Sequence, residues 1–207
     1  MIKFKAIKNL FTANNSEEVM KRFLLPVGCV ILMVSSLLLV TFEIITYDNF
    51  MLKLIMMFVN NFLALTSLKL YSESNKWDDK KYFLWSGILF LAIMFISLSA
   101  SKYELFSLTS GLVLSIMFVP FLGKKVDDVV CCNFKSMLVS SLFFALAVAL
   151  MLIAGTSVIL ASISYLFSVE ICNQIYKSVI AIYLSLFIPL YILSSLPGKF
   201  NSREKVK

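Results

Sequence analysis

The sequence predicts an all-α integral membrane bundle of about six transmembrane helices, with both ends in the cytoplasm. Three observations carry that prediction. Of 207 residues, 60% are hydrophobic, and mean hydropathy is +0.90; a soluble domain of this size has no interior able to hide so much apolar surface. The apolar residues gather into six runs of roughly 20, the length at which a helix crosses about 30 Å of hydrocarbon. Sixteen of the nineteen Lys and Arg residues fall in every second segment between those runs, and segments rich in Lys and Arg stay cytoplasmic.

Residues 1–22 come first. Phe4, Ile7, Leu10 and Phe11 recur at three-to-four spacing with Lys3, Lys5 and Lys8 among them, the pattern of a short amphipathic helix lying on a leaflet. Asn15 and Glu18 have the spacing of a capping box ahead of span one. Span one runs from Phe23 to about Ile45 behind Lys21–Arg22. Its full length, with no small-residue cleavage pattern after it, predicts a retained signal anchor. Span two is Met51 to about Leu70, span three Tyr82 to Ala100, and span four about Leu105 to Leu122. Span five, Met137 to about Leu166, is the longest, and a tilt or a bend near Gly155 would accommodate it. Span six is Ile175 to Leu196, closing a membrane domain over 23–197 ahead of a short basic tail, 198–207. Each run is apolar around its full circumference.

The flanks agree with the spans. Five cations precede span one, four separate spans two and three, three separate spans four and five, and four lie in the tail. Lys53, Lys102 and Lys177 are alone in the other three connections. Trp77, Tyr82 and Trp85 open span three, and Tyr47, Tyr103 and Tyr176 mark other span ends, where amphipathic rings prefer the interface. Pro26, Pro120 and Pro189 lie within a turn or two of span ends, where a missing N–H is easiest to accommodate. The net charge of +7 therefore reads as anchoring to an anionic leaflet, with the lipid bilayer as partner and no nucleic acid.

The sequence contains no histidine, which excludes Ser–His–Asp and Cys–His nucleophilic arrangements. Six glycines form neither GxGxxG nor a P-loop. Cys29 falls within span one, Cys131–Cys132 in a cytoplasmic connection and Cys172 in an external one. That scatter favours ordinary reduced thiols over a disulfide framework, with lipidation or a redox role for Cys131–Cys132 as alternatives. Lys124–Lys125 before Asp127–Asp128 reads as a solvated, ion-paired turn rather than a cation site. No catalytic, cofactor or metal site is predicted.

Intramembrane polarity is sparse. Asn60 and Asn61, midway along span two, form the candidate polar site, joined by Glu43 near the external end of span one. An unpaired amide in hydrocarbon costs several kcal/mol, so both amides are expected to face other helices. Ser141, Ala145 and Ala149 lie four apart on one stripe of span five, where small side chains admit a neighbouring backbone. With Ser140, Gly155 and Ser162 they mark span five as the expected central packing helix.

Several positions carry a family resemblance: Leu166–Phe167, Val169–Glu170–Ile171, Ile175–Tyr176, Phe187, Pro189–Leu190, Leu193 and Leu196–Pro197, together with Lys21–Arg22–Phe23–Leu24–Leu25–Pro26. In these the chain resembles an uncharacterised bacterial multi-spanning inner-membrane family, a domain of unknown function. The resemblance implies residence in a bacterial inner membrane and supplies no catalytic residues. Typical members continue past the equivalent of Pro197, so a shortened form, or half of a split gene working with a partner, is implied.

The function expected from these features is a non-catalytic scaffold or accessory subunit that assembles with other membrane proteins. A small-solute transporter or permease component, with Asn60, Asn61 and Glu43 along its route, is the alternative. No internal repeat and no centrally placed proline speaks for it. A membrane enzyme has little support.

Overall fold

A computed structural model describes residues 20–45, 48–122 and 128–196. The expected amphipathic segment with its Asn15–Glu18 box, the Lys124–Lys125 and Asp127 turn, and the basic tail lie outside the described residues. The helices are α1 (Leu24–Thr41), α2 (Asn49–Ser74), α3 (Asp79–Ser99), α4 (Lys102–Phe118), α5 (Asp128–Phe167), α6 (Asn173–Ile182) and α7 (Ile188–Ser195). A 3₁₀ turn, Val119–Phe121, extends α4, and a π-helical turn, Tyr183–Phe187, joins α6 to α7. Among the described residues there is no strand, and six helical segments are long and apolar enough to cross a membrane.

The helix ends follow local chemistry. Pro26 sits in the first turn of α1, where its absent N–H removes no helical bond, and the first bond runs from Val27 N–H to the Phe23 carbonyl. The Asp48 carboxylate accepts the Asn49 N–H at the start of α2. Ser101 and Glu104 form a complete capping box ahead of α4. At the other end of α1, Glu43 takes a left-handed backbone with φ of 56°. Its N–H bonds the Val40 carbonyl, and the Ile44 N–H bonds Leu39, which is the Schellman pattern. Lys76, φ 52°, ends α2 the same way through Glu73 and Ser72. There Trp77 packs edge-on against Tyr71 at 5.2 Å, the apolar contact that accompanies the motif.

Glu43 therefore terminates a helix that stops at Thr41, short of the expected Ile45, and its side chain is exposed. Glycine adopts this backbone without the Cβ penalty. Glu43→Gly is thus expected to raise thermal stability in detergent by about 0.5–1 kcal/mol; a clear loss of stability would contradict the capping role.

Helix α2 is the centre of the bundle and packs against α1, α3 and α4. This corrects the expectation for span five. Buried residues make up 44% of the most apolar stretch of α2 but only 17% of that of α5. A small-residue stripe reports how closely one neighbour approaches, and α5 packs chiefly on one neighbour, span six. Span six in turn leans on α1. The two halves converge at the end of the bundle carrying Arg22, Lys69, Lys76, Lys81 and Lys135, hereafter the basic end. There Phe23 and Val27 of span one, Leu70 of α2, Ile116 of α4, Phe134 and Leu138 of α5, and Leu193 and Leu196 of span six form one apolar cluster.

Two further departures concern α5 and span six. Helix α5 is 40 residues long, about 60 Å at 1.5 Å per residue and twice the hydrocarbon thickness. It runs unbroken through Gly155 and begins at Asp128, so Cys131 and Cys132 lie on its first turns rather than in a connection. Span six is interrupted midway by the π turn. Pro189 has no N–H for the carbonyl of Ser185, and a wider turn just before the ring relieves the clash.

Candidate functional site

Asn60 and Asn61 are fully buried, each 0% exposed. They stand eleven and twelve residues into α2, roughly 16–18 Å from its start and so near mid-membrane depth. The Asn61 Nδ2 donates to the Met57 carbonyl of its own helix at 3.0 Å. The Thr109 hydroxyl of α4 stands 2.7 Å from Asn60 Oδ1 and 2.8 Å from the Leu105 carbonyl. One proton serves both acceptors. A half-turn of the Asn60 amide lets Nδ2 donate to Thr109 Oγ1 while the hydroxyl keeps Leu105. The Asn60 Nδ2 and Asn61 Oδ1 make no hydrogen bond, nor does the hydroxyl of buried Ser97 on α3.

The Asn60–Thr109 contact is the first of three. The Ser115 hydroxyl donates to the Leu112 carbonyl of its own helix at 2.7 Å and stands 3.2 Å from the Ser67 hydroxyl, and Ser74 donates to the Pro120 carbonyl at 2.6 Å. On α2 the positions 60, 67 and 74 are seven apart, which keeps them on one face. Their partners 109, 115 and 120 advance in the same direction, so α2 and α4 run parallel. The polar row thus fixes the register of two helices along most of their length. A double-mutant cycle with Asn60→Leu and Thr109→Val is expected to give a coupling of about 0.6 kcal/mol, and at most ~1.7, by thermal unfolding in detergent. Strict additivity would remove the contact from the account.

A charged cluster closes the basic end. Arg22 grips Glu73 in two-point fashion, Nε to Oε1 at 2.8 Å and Nη2 to Oε2 at 2.5 Å, a planar fork that suits guanidinium. Its Nη1 reaches the Leu196 carbonyl at 3.3 Å, at the end of span six. Lys69 lies 3.9 Å from Glu73 and stacks over the Tyr82 ring of α3 at 4.7 Å. Arg22 and Glu73 are only about a fifth exposed. Spans one, two and six are therefore joined through one carboxylate and one guanidinium, and Lys69 adds α3. Beside them Lys135 of α5 stacks over Phe118 of α4 at 4.0 Å, and Phe134 meets Phe121 edge-on.

The structure brings Asn60 together with Thr109, turns Asn61 to its own helix, and leaves Glu43 apart from both, at an exposed helix end. Ala145 and Ala149 are fully buried and Ser141 is half-buried. The flanking contacts are Phe144 with Tyr191, ring centroids 5.6 Å apart, and Thr156 with the Tyr183 hydroxyl at 3.3 Å. Between them, chain direction places Ala149 opposite the π turn, where the wider backbone needs room. Cys29 is buried in α1, and Cys132 and Cys172 are exposed. Sequence reasoning missed the Arg22–Glu73 pair, whose partners stand 51 residues apart. The one available signal was Glu73 as the carboxylate between Lys69 and Lys76 at the close of span two.

No family model, curated protein or solved structure matches the chain.

Proposed function

We propose that the chain is a multi-pass protein of a bacterial inner membrane, with its basic end in the cytoplasm, that serves as a non-catalytic scaffold or accessory subunit. The resemblance described above and the distribution of cations support the address and orientation. The observation that carries the functional reading is the use made of the buried polar groups. Asn60, Ser67 and Ser74 are at most 6% exposed, and each is engaged with α4 or its 3₁₀ extension. They hold helices in register, and of the three Ser67 also borders a groove between α2, α3 and α4. Meanwhile α5 turns a long apolar face outward, including Leu142, Phe143, Leu146, Leu150 and Met151, which are 40–76% exposed. That face is free to meet another membrane protein, an unrelated chain or the product of a split gene.

A photo-crosslinking residue at Met151 tests the proposal. In native membranes it is expected to capture one discrete protein partner, while the same residue at Phe95 on the outer side of α3 does not. Capture of lipid alone, with the chain purifying as a lone monomer in mild detergent, would contradict it.

The interrupted sixth span favours a second reading, transport of a small solute. Broken helices near the midplane build binding sites in transporters, and π turns recur at functional positions. On that reading, solute flux into vesicles carrying the chain is lost in the Asn60→Leu, Asn61→Leu double variant. Flux that survives both changes would take the amides off the route.

A further inference from the structure

We propose that a groove between α2, α3 and α4 holds an acyl chain of an anionic phospholipid, with the headgroup at Trp77 and Lys81. The groove has a volume of about 300 Å³ and is lined by Leu68 and Tyr71 of α2, Leu89 of α3, and Leu112, Val119 and Leu122 at the α4 side. Its depth follows from the register of the three helices. Lys69 meets Tyr82, and the Lys53 ammonium donates to the Leu98 carbonyl at 3.0 Å. These antiparallel pairs set Leu89 near the level of Phe62 on α2. The parallel pairs Asn60–Thr109 and Ser74–Pro120 set Leu112 near Ala64, and Leu122 just past Ser74. The groove therefore extends over about twelve residues of α2, roughly 18 Å from the middle of the bundle to the basic end. That is the depth of one leaflet. Its lining is mostly aliphatic, with Ser67 and Tyr71 the residues that bear hydroxyls, and an acyl chain fits it.

The mouth has different chemistry. Tyr71, which lines the groove, carries Trp77 edge-on at 5.2 Å, and the Lys81 ammonium stands 4.6 Å over the Trp77 ring. Lys76, Lys80 and Lys81 are exposed there, as are the carboxylates of Asp78 and Asp79, which leaves a net charge of +1 at the mouth. An indole at headgroup depth with a cation stacked on it is matched by a phosphate and an anionic headgroup. Charge complementarity thus selects the lipid and the aliphatic slot takes its chain. This inference rests on the membrane placement and is independent of any protein partner.

Trp77 supplies the readout. The Trp85→Phe variant, which leaves Trp77 as the single tryptophan, is reconstituted into vesicles containing phosphatidylglycerol or phosphatidylcholine brominated close to the glycerol. Quenching of Trp77 is expected to report tighter binding of the anionic lipid, by about fivefold for each engaged lysine. Lys81→Gln should bring the ratio toward one, Lys81→Arg should keep it, and Lys102→Gln at the opposite end should leave it unchanged. Leu112→Phe, which fills the slot, should weaken quenching by both lipids. Equal quenching by the two lipids, or selectivity that survives Lys81→Gln, would overturn the proposal while leaving the scaffold reading intact. Failure of the chain to float with the vesicles would overturn the membrane placement and the groove together.

Discussion

Replacing Ala145 with leucine is expected to lower thermal stability in detergent by about 1–3 kcal/mol, the usual cost of forcing extra methylenes into a packed contact. Ala145 has no exposed surface, and its stripe continues through Ala149 to the level of the π turn. On both sides of the stripe α5 meets span six through ring and hydroxyl contacts. A leucine there must push Tyr191 aside or separate the two spans. Leu150, the neighbouring position on the outer side, is 55% exposed, and Leu150→Ala removes side chain that is mostly outside the packed contact. Its effect should stay within about 0.5 kcal/mol. Equal losses from the two variants would mean that α5 does not dock through its small residues. The expected sign also follows from the absence of a hydrophobic driving force between helices in lipid, where close packing supplies the association energy.

Arg22→Met should be the more damaging of the single changes at the basic end, costing roughly 2–4 kcal/mol. Removing one member of a largely enclosed ion pair leaves the other charge unpaired, which for fully buried pairs costs 3–5 kcal/mol; the one-fifth exposure of both side chains moderates it. Arg22 also holds the Leu196 carbonyl, so its loss releases span six from spans one and two. The double variant Arg22→Met, Glu73→Met should recover much of the loss, because the apolar pair leaves no charge to solvate. An Arg22→Met protein as stable as the parent would show that the cluster is incidental.

These two sites illustrate what sequence alone conveys about this chain. The spans were legible because each run is apolar on every side, a property that needs no knowledge of neighbours. The stripe at Ala145 and Ala149 was legible as a close-approach surface for the same reason. Its rank in the bundle was not, because the number of helices around α2 depends on how the other spans choose to pack. The helix ends at Glu43 and Lys76 were hidden because the left-handed positions are not glycines, so the usual stop signal is missing. The extension of α5 back to Asp128 was hidden by Cys131, Cys132 and Lys135, whose polarity reads as a connection although they sit on the turns that overshoot the apolar stretch. Pro189 reads as a proline near a span end, and the π turn before it was not legible because a kink and a π turn satisfy the same steric demand. Asn60 was legible as a buried amide; that its partner is Thr109 emerges only from the parallel register of α2 and α4.

The native thiols offer the most direct measurement of the two-sided arrangement. Cys132 and Cys172 are both exposed and lie at opposite ends of the bundle, on the first turns of α5 and just before α6. In intact cells, a membrane-impermeant maleimide should label a variant retaining only Cys172. A variant retaining only Cys132 should react after the membrane is opened and not before. Labelling of Cys132 in intact cells with Cys172 protected would reverse the orientation, and labelling of both from the outside would contradict a chain that crosses the membrane between them.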